Sequence, residues 1–387
     1  MGVRAQHLLI NALSMGSAGG FSVGRELLRH IAIVRPDWTV SCVLISGHPL
    51  HEEMRHAPLP DNCQLLWAPG STISRLKRTL YERRTLIAWV RSHKVDAVIQ
   101  LNGMLVSGMG VPTLCHMQDP WPYRPEAWDR PGDRIVALMK RRRHRSALKN
   151  ASQIGWTSAY LRNLICASHE KPNRGDVFYN GIPREWIERA RTSIRSWKTR
   201  PNQIISVSDV TARKRQHLVV QALPSLIRRT GLEDLTYRII GKVDSGYRRE
   251  LELLARELGV AEHVRIDGRI SERELIAAFE SARCFVTMSI CESFGIPAIE
   301  AMSFGTPVIV SNCCAMPEIC GNAGELVPID DVNALADRTA EILLNSRKAQ
   351  ELQQAGIDRI AAFCWEDTAG QMAGAVEEMV HLDQTQK

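Results

Sequence analysis

The sequence predicts an α/β protein of two domains, and three observations carry that prediction. The chain has 387 residues, more than one ordinary hydrophobic core serves. Short apolar, partly β-branched runs alternate with stretches of helical periodicity along most of its length, the pattern of α/β domains. Residues 284–311, CFVTMSICESFGIPAIEAMSFGTPVIVS, compress that pattern into one unit. Cys284 to Met288 reads as a buried strand. The polar turn Ser289 to Gly295 follows, then Pro297 at the expected first position of a helix. Gly305 suits the position just past the helix end, and Pro307 opens the next strand.

In such a unit the loop stands at the carboxyl end of the strand, where open α/β sheets bind ligands. The helix start can hold an anion, helped by a dipole equivalent to roughly +0.5 charge. Glu292 lies in the loop and Glu300 is expected in the first helical turn. Carboxylates repel phosphate but accept hydrogen bonds from hydroxyls. An anion site flanked by two carboxylates therefore suits a phosphate linked to a polyhydroxy group, such as a nucleotide sugar.

Glu292 and Glu300, with F-G-I-P and E-A-M around them and G-T-P-V-I after them, resemble the E-x7-E region of the retaining family 4 glycosyltransferases. The resemblance covers nearly the whole chain and is far more specific in its second half. It implies the GT-B architecture, in which two Rossmann-like, doubly wound domains face a central cleft. It also implies transfer of a hexose from a nucleotide diphosphate sugar to an acceptor hydroxyl, with retained anomeric configuration. The domains expected on this basis are residues 1–186 for the acceptor and 200–363 for the donor. A last helix, 365–387, would cross back to the first domain.

Taken in order, Leu8 to Leu13 reads as a first strand, followed by a glycine-rich stretch through Gly19, Gly20 and Phe21 and a helix from about Val23. Such a loop lets backbone approach a phosphate or sugar. It lacks the dinucleotide fingerprint, so a nicotinamide site is not expected. Gly19-Gly20 resembles the family's N-terminal glycine loop. In His51-Glu52-Glu53-Met54-Arg55-His56 the second histidine is one position too far for a helical zinc pair, and the segment reads as solvated. Ser74 to Lys94 has helical apolar spacing through Leu76, Leu80, Ile87 and Val90.

Val111 to Asp119 reads as a strand ending in polar groups. The family carries a histidine here near the reacting sugar. Gln118 stands in its place, with Asp119 beside it and His116 two residues earlier on the same strand face. Two readings stay open: His116 supplies the imidazole, or Gln118 and Asp119 serve instead. Trp121, Tyr123 and Trp128 form an aromatic loop assigned to the acceptor side. Ser158 with Leu161, and Asn180-Gly181, resemble further family positions in the first domain.

In the second half, Lys214 matches the family's diphosphate-neutralising lysine. The family's arginine position is Asp209 here, with Arg213 and Arg215 as the nearby guanidinium groups. By resemblance, Lys214, Arg213, Glu292, Ser293, Phe294, Gly295, Ile296 and Glu300 form the donor site with Gly19 and Gly20. Catalysis is assigned to Glu292, His116, Asp119 and Lys214. Glu292 would hold the donor sugar or its developing positive charge, and Glu300 the ribose hydroxyls. No D-x-D occurs, so neither a metal nor any other cofactor is expected.

Charge is uneven. Residues 1–190 hold 26 Lys and Arg against 15 Asp and Glu, while residues 191–387 hold 23 against 27. A basic first half suggests an anionic partner. Lys140, Arg141, Arg142, Arg143 and Arg145 read as a solvated helix face or as a surface for anionic lipid. Nothing accompanies them to suggest nucleic acid. The ten cysteines show no metal-ligand spacing and read as reduced core thiols. No apolar run reaches the ~18 residues of a membrane span, and the N-terminus lacks a signal-peptide pattern. The expectation is a cytoplasmic enzyme, with docking at the inner membrane face left open beside the solvated-face reading. The resemblance to bacterial mannosyltransferases implies surface-polysaccharide or lipopolysaccharide synthesis with GDP-mannose as donor. A GT-B epimerase and a catalytically impaired binding protein are the alternatives.

Overall fold

The computed structural model describes residues 6–15, 18–192 and 194–385. They form two compact units. The first comprises the described residues within 1–123, 134–180 and 365–387, the second those within 124–133 and 181–364.

The first unit is built on β1 (His7–Asn11), β2 (Thr39–Ile45), β3 (Cys63–Ala68), β4 (Ala97–Leu101), β5 (Thr113–Met117), β6 (Gln153–Trp156) and β7 (Gly175–Val177). They pair in the order β3-β2-β1-β4-β5-β6-β7, all parallel. Almost every position of β1, β2, β4, β5 and β6 is buried, as a sheet covered by helices on both faces requires. The helix Trp365–Thr385 packs on the helix Ala18–Val34. Arg35 clasps Glu377 through two hydrogen bonds of 3.0 and 3.1 Å. Thr368 donates to the Tyr179 carbonyl at 2.7 Å.

The second unit carries β8 (Gln203–Val207), β9 (Thr236–Ile240), β10 (Val264–Asp267), β11 (Cys284–Thr287), β12 (Val308–Ser311) and β13 (Gly324–Val327). Their order is β10-β9-β8-β11-β12-β13, again all parallel. Each sheet therefore reverses its winding once, between β1 and β4 in the first unit and between β8 and β11 in the second. These are the switch points at which open sheets bind ligands outside their carboxyl ends. Among the described residues no helix is long and apolar enough to cross a membrane.

Three local expectations change. The helix Ala18–Val34 starts earlier than expected and takes Gly19 and Gly20 into its first turn. The preceding Gly16 and Ser17 lie outside the described residues. His51 is not solvated but fully buried. Its Nδ1 accepts from the Ile45 N–H at 2.8 Å and its Nε2 lies 3.0 Å from the Met15 carbonyl. It ties the segments after β1 and β2 together as a neutral ring. Residues 75–92 form a helix interrupted by a π turn at Glu82–Leu86. The wider turn breaks the 3.6-residue register, so Val90 is buried while Leu76 and Leu80 are 81% and 51% exposed.

Candidate active site

The second unit's switch point brings together two loops. The loop after β8 contains a short 3-10 turn, Ala212–Lys214. The loop after β11 runs from Met288 to Gly295 and leads into the helix Ile296–Ser303. The Ile290 N–H donates to the Arg213 carbonyl at 3.1 Å, pinning one loop to the other. Lys214 Nζ then forms an ion pair with Glu292 Oε1, with side chains only 11% and 17% exposed. Burial opposes ionisation of the Glu292 carboxyl. The charge and hydrogen bond of Lys214, the charge of Arg213 and a hydrogen bond from Ser289 outweigh it and hold the carboxyl below its ordinary range.

Backbone geometry fixes this arrangement at two glycines. Gly241 follows β9 with φ +148°, and a Cβ there would lie 1.9 Å from the Ser208 carbonyl oxygen, so that only glycine lets the loop after β8 pass. Gly295 caps the Ile296–Ser303 helix in the left-handed region, φ +93°, with Met316 Sδ 2.6 Å from where a Cβ would stand. The Ser311 hydroxyl donates to the Ser289 carbonyl at 2.7 Å, joining the end of β12 to the same loop.

The expected donor residues divide accordingly. Lys214, Arg213 and Glu292 meet. Arg213 stands 3.8 Å from Asp209, so the acidic residue at the family's arginine position has a guanidinium facing it. Arg215 is turned instead to Asp330. Phe294 is 1% exposed and packs edge-on against Phe363 with ring centroids 5.4 Å apart. Its ring belongs to the core, because the tight turn into Gly295 directs it inward. Ser293, Gly295 and Ile296 remain half-buried at the loop. The helix opens at Ile296, so Pro297 is its second residue and half-buried Glu300 its fifth, just beyond the first turn where it was expected. Two participants carried no sequence signal of their own. Ser289 hydrogen-bonds Glu292, and buried Gln216 donates to the Ser208 hydroxyl and the Asp209 carbonyl, both at 3.1 Å.

In the first unit, Gly19 is exposed at the helix start with open space around it. At the β1/β4 switch point Asn11 donates to Gln100 at 3.3 Å and to Glu82 at 3.0 Å. Burial raises the Glu82 carboxyl, only partly countered by Asn11 and by the charges of Arg78 and Arg143. His116 sits within β5, 1% exposed, its ring facing Gly155 and Phe178. Burial lowers its pKa to about 4. Asp119 lies beyond the strand end, half-buried, paired with Lys140 at 2.6 Å and accepting from the Trp121 N–H at 3.1 Å. Lys140 is thereby engaged, and Arg141 donates to the Pro122 carbonyl at 2.7 Å. Of the basic run, Arg142, Arg143 and Arg145 are the exposed members. Tyr123 is buried between His144 and His169 rather than offered to solvent.

Two parallel, doubly wound sheets, one with a lysine–glutamate pair at its switch point, are the sheets of a GT-B fold. Residues 189–359 match the family of glycosyl transferases group 1. A phosphatidyl-myo-inositol mannosyltransferase of Mycobacterium leprae is 32% identical over 168 residues, 43% of this chain and 43% of that protein. An MMP alpha-(1->4)-mannosyltransferase of Mycolicibacterium hassiacum is 30% identical over 185 residues, 46% of this chain and 44% of that protein. The chain thus spans under half the length of these relatives. The fold matches that of sucrose-phosphate synthase from Thermosynechococcus elongatus with a TM-score of 0.77, at 21% identity, over 98% of this chain and 100% of that one.

Proposed function

We propose that the chain is a retaining glycosyltransferase that moves a hexose from a nucleotide diphosphate sugar to a hydroxyl of a glycan or lipid-linked acceptor. The observation that carries the reading is the Lys214–Glu292 pair at the second sheet's switch point, inside the matched region. Breaking the glycosidic bond of the donor creates positive charge on the sugar and negative charge on the departing diphosphate. Lys214, Arg213 and the positive end of the Ile296–Ser303 helix are the groups assigned to the diphosphate. Glu292, held ionised by the same lysine, is assigned to the sugar's hydroxyls and its developing cation, and Glu300 to the ribose hydroxyls. Asp119 is assigned to the acceptor side. His116 is assigned to the core, since its ring is buried and unprotonated at neutral pH.

Mannose is the sugar we favour, because both relatives above are named mannosyltransferases, and GDP-mannose is the corresponding donor. The absence of a D-x-D motif supports a reaction without a metal, so turnover should persist in EDTA. The test is release of nucleotide diphosphate from GDP-mannose with and without acceptor. Transfer that needs Lys214 and Glu292 supports the reading. Nucleotide binding with neither hydrolysis nor transfer would favour a binding protein, and turnover of the donor sugar without acceptor an epimerase.

A further inference from the structure

The first unit leaves eight large apolar side chains exposed among its described residues, and six of them lie on two short stretches. Ile73, Leu76 and Leu80 are 55%, 81% and 51% exposed, and Ile135, Leu138 and Met139 are 66%, 52% and 51% exposed. The helix Asp133–Asn150 places Ile135, Leu138 and Met139 on one face, at i, i+3 and i+4. One turn further along that face come exposed Arg142 and Arg145. The segment from Ile73 repeats the order: Leu76 and Leu80 share a face of the helix Arg75–Tyr81, and exposed Arg83 and Arg84 follow. No acidic residue occurs from Arg134 to Asn150, and the only one from Ile73 to Ser92, Glu82, is engaged by Asn11.

The two stretches are neighbours. The charge of Arg143 acts on both Arg78 and Glu82. Each is also tied to the carboxyl edge of the sheet. Arg78 donates to the Leu13 carbonyl just past β1 at 3.0 Å, and Lys140 pairs with Asp119 just past β5. Two exposed apolar stripes bordered by arginines, whose one carboxylate, Glu82, is turned to Asn11, are hard to hold in water alone. An anionic bilayer surface satisfies both parts at once, since acyl chains take the apolar side chains and headgroup phosphates take the guanidinium groups.

We propose that these two stripes insert together into the interface of an anionic lipid bilayer, bringing the carboxyl edge of the first sheet against the membrane. The contact is more than Coulombic docking by a basic run, because leucine and isoleucine side chains enter the acyl boundary. It is independent of the donor, and, resting on the proposed transfer reaction, it would deliver a lipid-borne acceptor to the edge that carries Asp119.

The test uses the full chain with vesicles of phosphatidylglycerol and phosphatidylcholine in equal parts, and with phosphatidylcholine alone, at low and raised salt. The wild-type protein should sediment with the anionic vesicles. Arg142→Gln with Arg145→Gln should weaken binding about 30-fold at low salt, from ~1 kcal/mol per basic residue. Leu76→Ser with Leu138→Ser should weaken it roughly tenfold or more at both salts. Both positions are exposed, so the nucleotide-induced thermal shift should be unchanged in either variant, and that shift reports the donor reading separately. The proposal is overturned if folded wild-type protein ignores anionic vesicles, or if the serine variant binds them as tightly as wild type. It is equally overturned if the serine substitutions instead abolish self-association or RNA retention.

Discussion

Lys214 and Glu292, 78 positions apart in the chain, meet as an ion pair between the ends of β8 and β11. The pairing gives a resting state to two groups that the proposed reaction uses separately. Before donor arrives, each neutralises the other in a setting from which water is mostly excluded. A bound diphosphate would take over part of the lysine, and the carboxylate would turn to the sugar. Lys214→Ala should lower kcat by about 10²–10³-fold, the scale for removing one group that stabilises developing negative charge. Glu292→Gln should act on the same step. Their effects should be strongly non-additive in a double-mutant cycle on kcat/KM, and additive losses would show that the two do not work as a pair.

The same pair makes a stability prediction. The folded Glu292 carboxyl lies below its ordinary value of 4.5. Its contribution is therefore complete above that value and is lost as pH falls through the lower folded one. Removing only Lys214 leaves a nearly buried carboxylate without its main partner, at a cost of about 3 kcal/mol near neutral pH. Urea unfolding of Lys214→Ala across pH should show that deficit shrinking in acid. A deficit that does not vary with pH would sink the assignment.

Buried histidines give the first unit a separate sensitivity. His51, His116 and His144 are all buried, and burial lowers each pKa from 6.5 to about 4. Between those values the unfolded chain binds protons that the folded chain does not, so stability falls as pH falls from 6.5 toward 4. By pH 5 the loss is at most roughly 2 kcal/mol per histidine. His116→Leu should make the slope shallower while leaving kcat within a few-fold of wild type. A collapse of turnover with stability intact would return His116 to the catalytic group.

Gly241→Ala tests the backbone beneath the loop after β8, which carries the proposed donor-binding Lys214. With φ +148° and the Ser208 carbonyl 1.9 Å from the new Cβ, the loop after β8 must move. The expected loss is about 3 kcal/mol or more, together with weaker nucleotide binding because Lys214 is carried on the displaced segment. Unchanged thermal stability would contradict the close approach.

How far the sequence discloses all this differs between the two units. In the second, the strand–loop–helix–strand unit at 284–311 is local. Its glycines, proline and glutamates sit within one short stretch, and the structure keeps them nearly where periodicity and turn chemistry put them. The Phe294 ring is the exception, because no sequence pattern distinguishes a loop aromatic aimed at a ligand from one aimed at Phe363. In the first unit the informative contacts are long-range. Asn11, Glu82 and Gln100 come together across nearly ninety residues. The π turn at Glu82–Leu86 rotates Leu76 and Leu80 away from the core that their spacing implied. The edge strand β13 is short and begins with glycine, and the edge strand β3, CQLLWA, is an apolar run without the alternation that marks a half-buried strand, so neither announced itself.

The most direct measurement is a thermal-shift panel of GDP, UDP, ADP and CMP on the wild-type protein and on Glu300→Ala. A ligand at 100 times its dissociation constant adds ~2.7 kcal/mol, which raises the midpoint by at least several degrees in a domain of this size. A donor site at the second sheet's switch point predicts such a shift for one nucleoside diphosphate, GDP, and its loss in Glu300→Ala. No shift with any of the four, or an equal shift in both proteins, would contradict it.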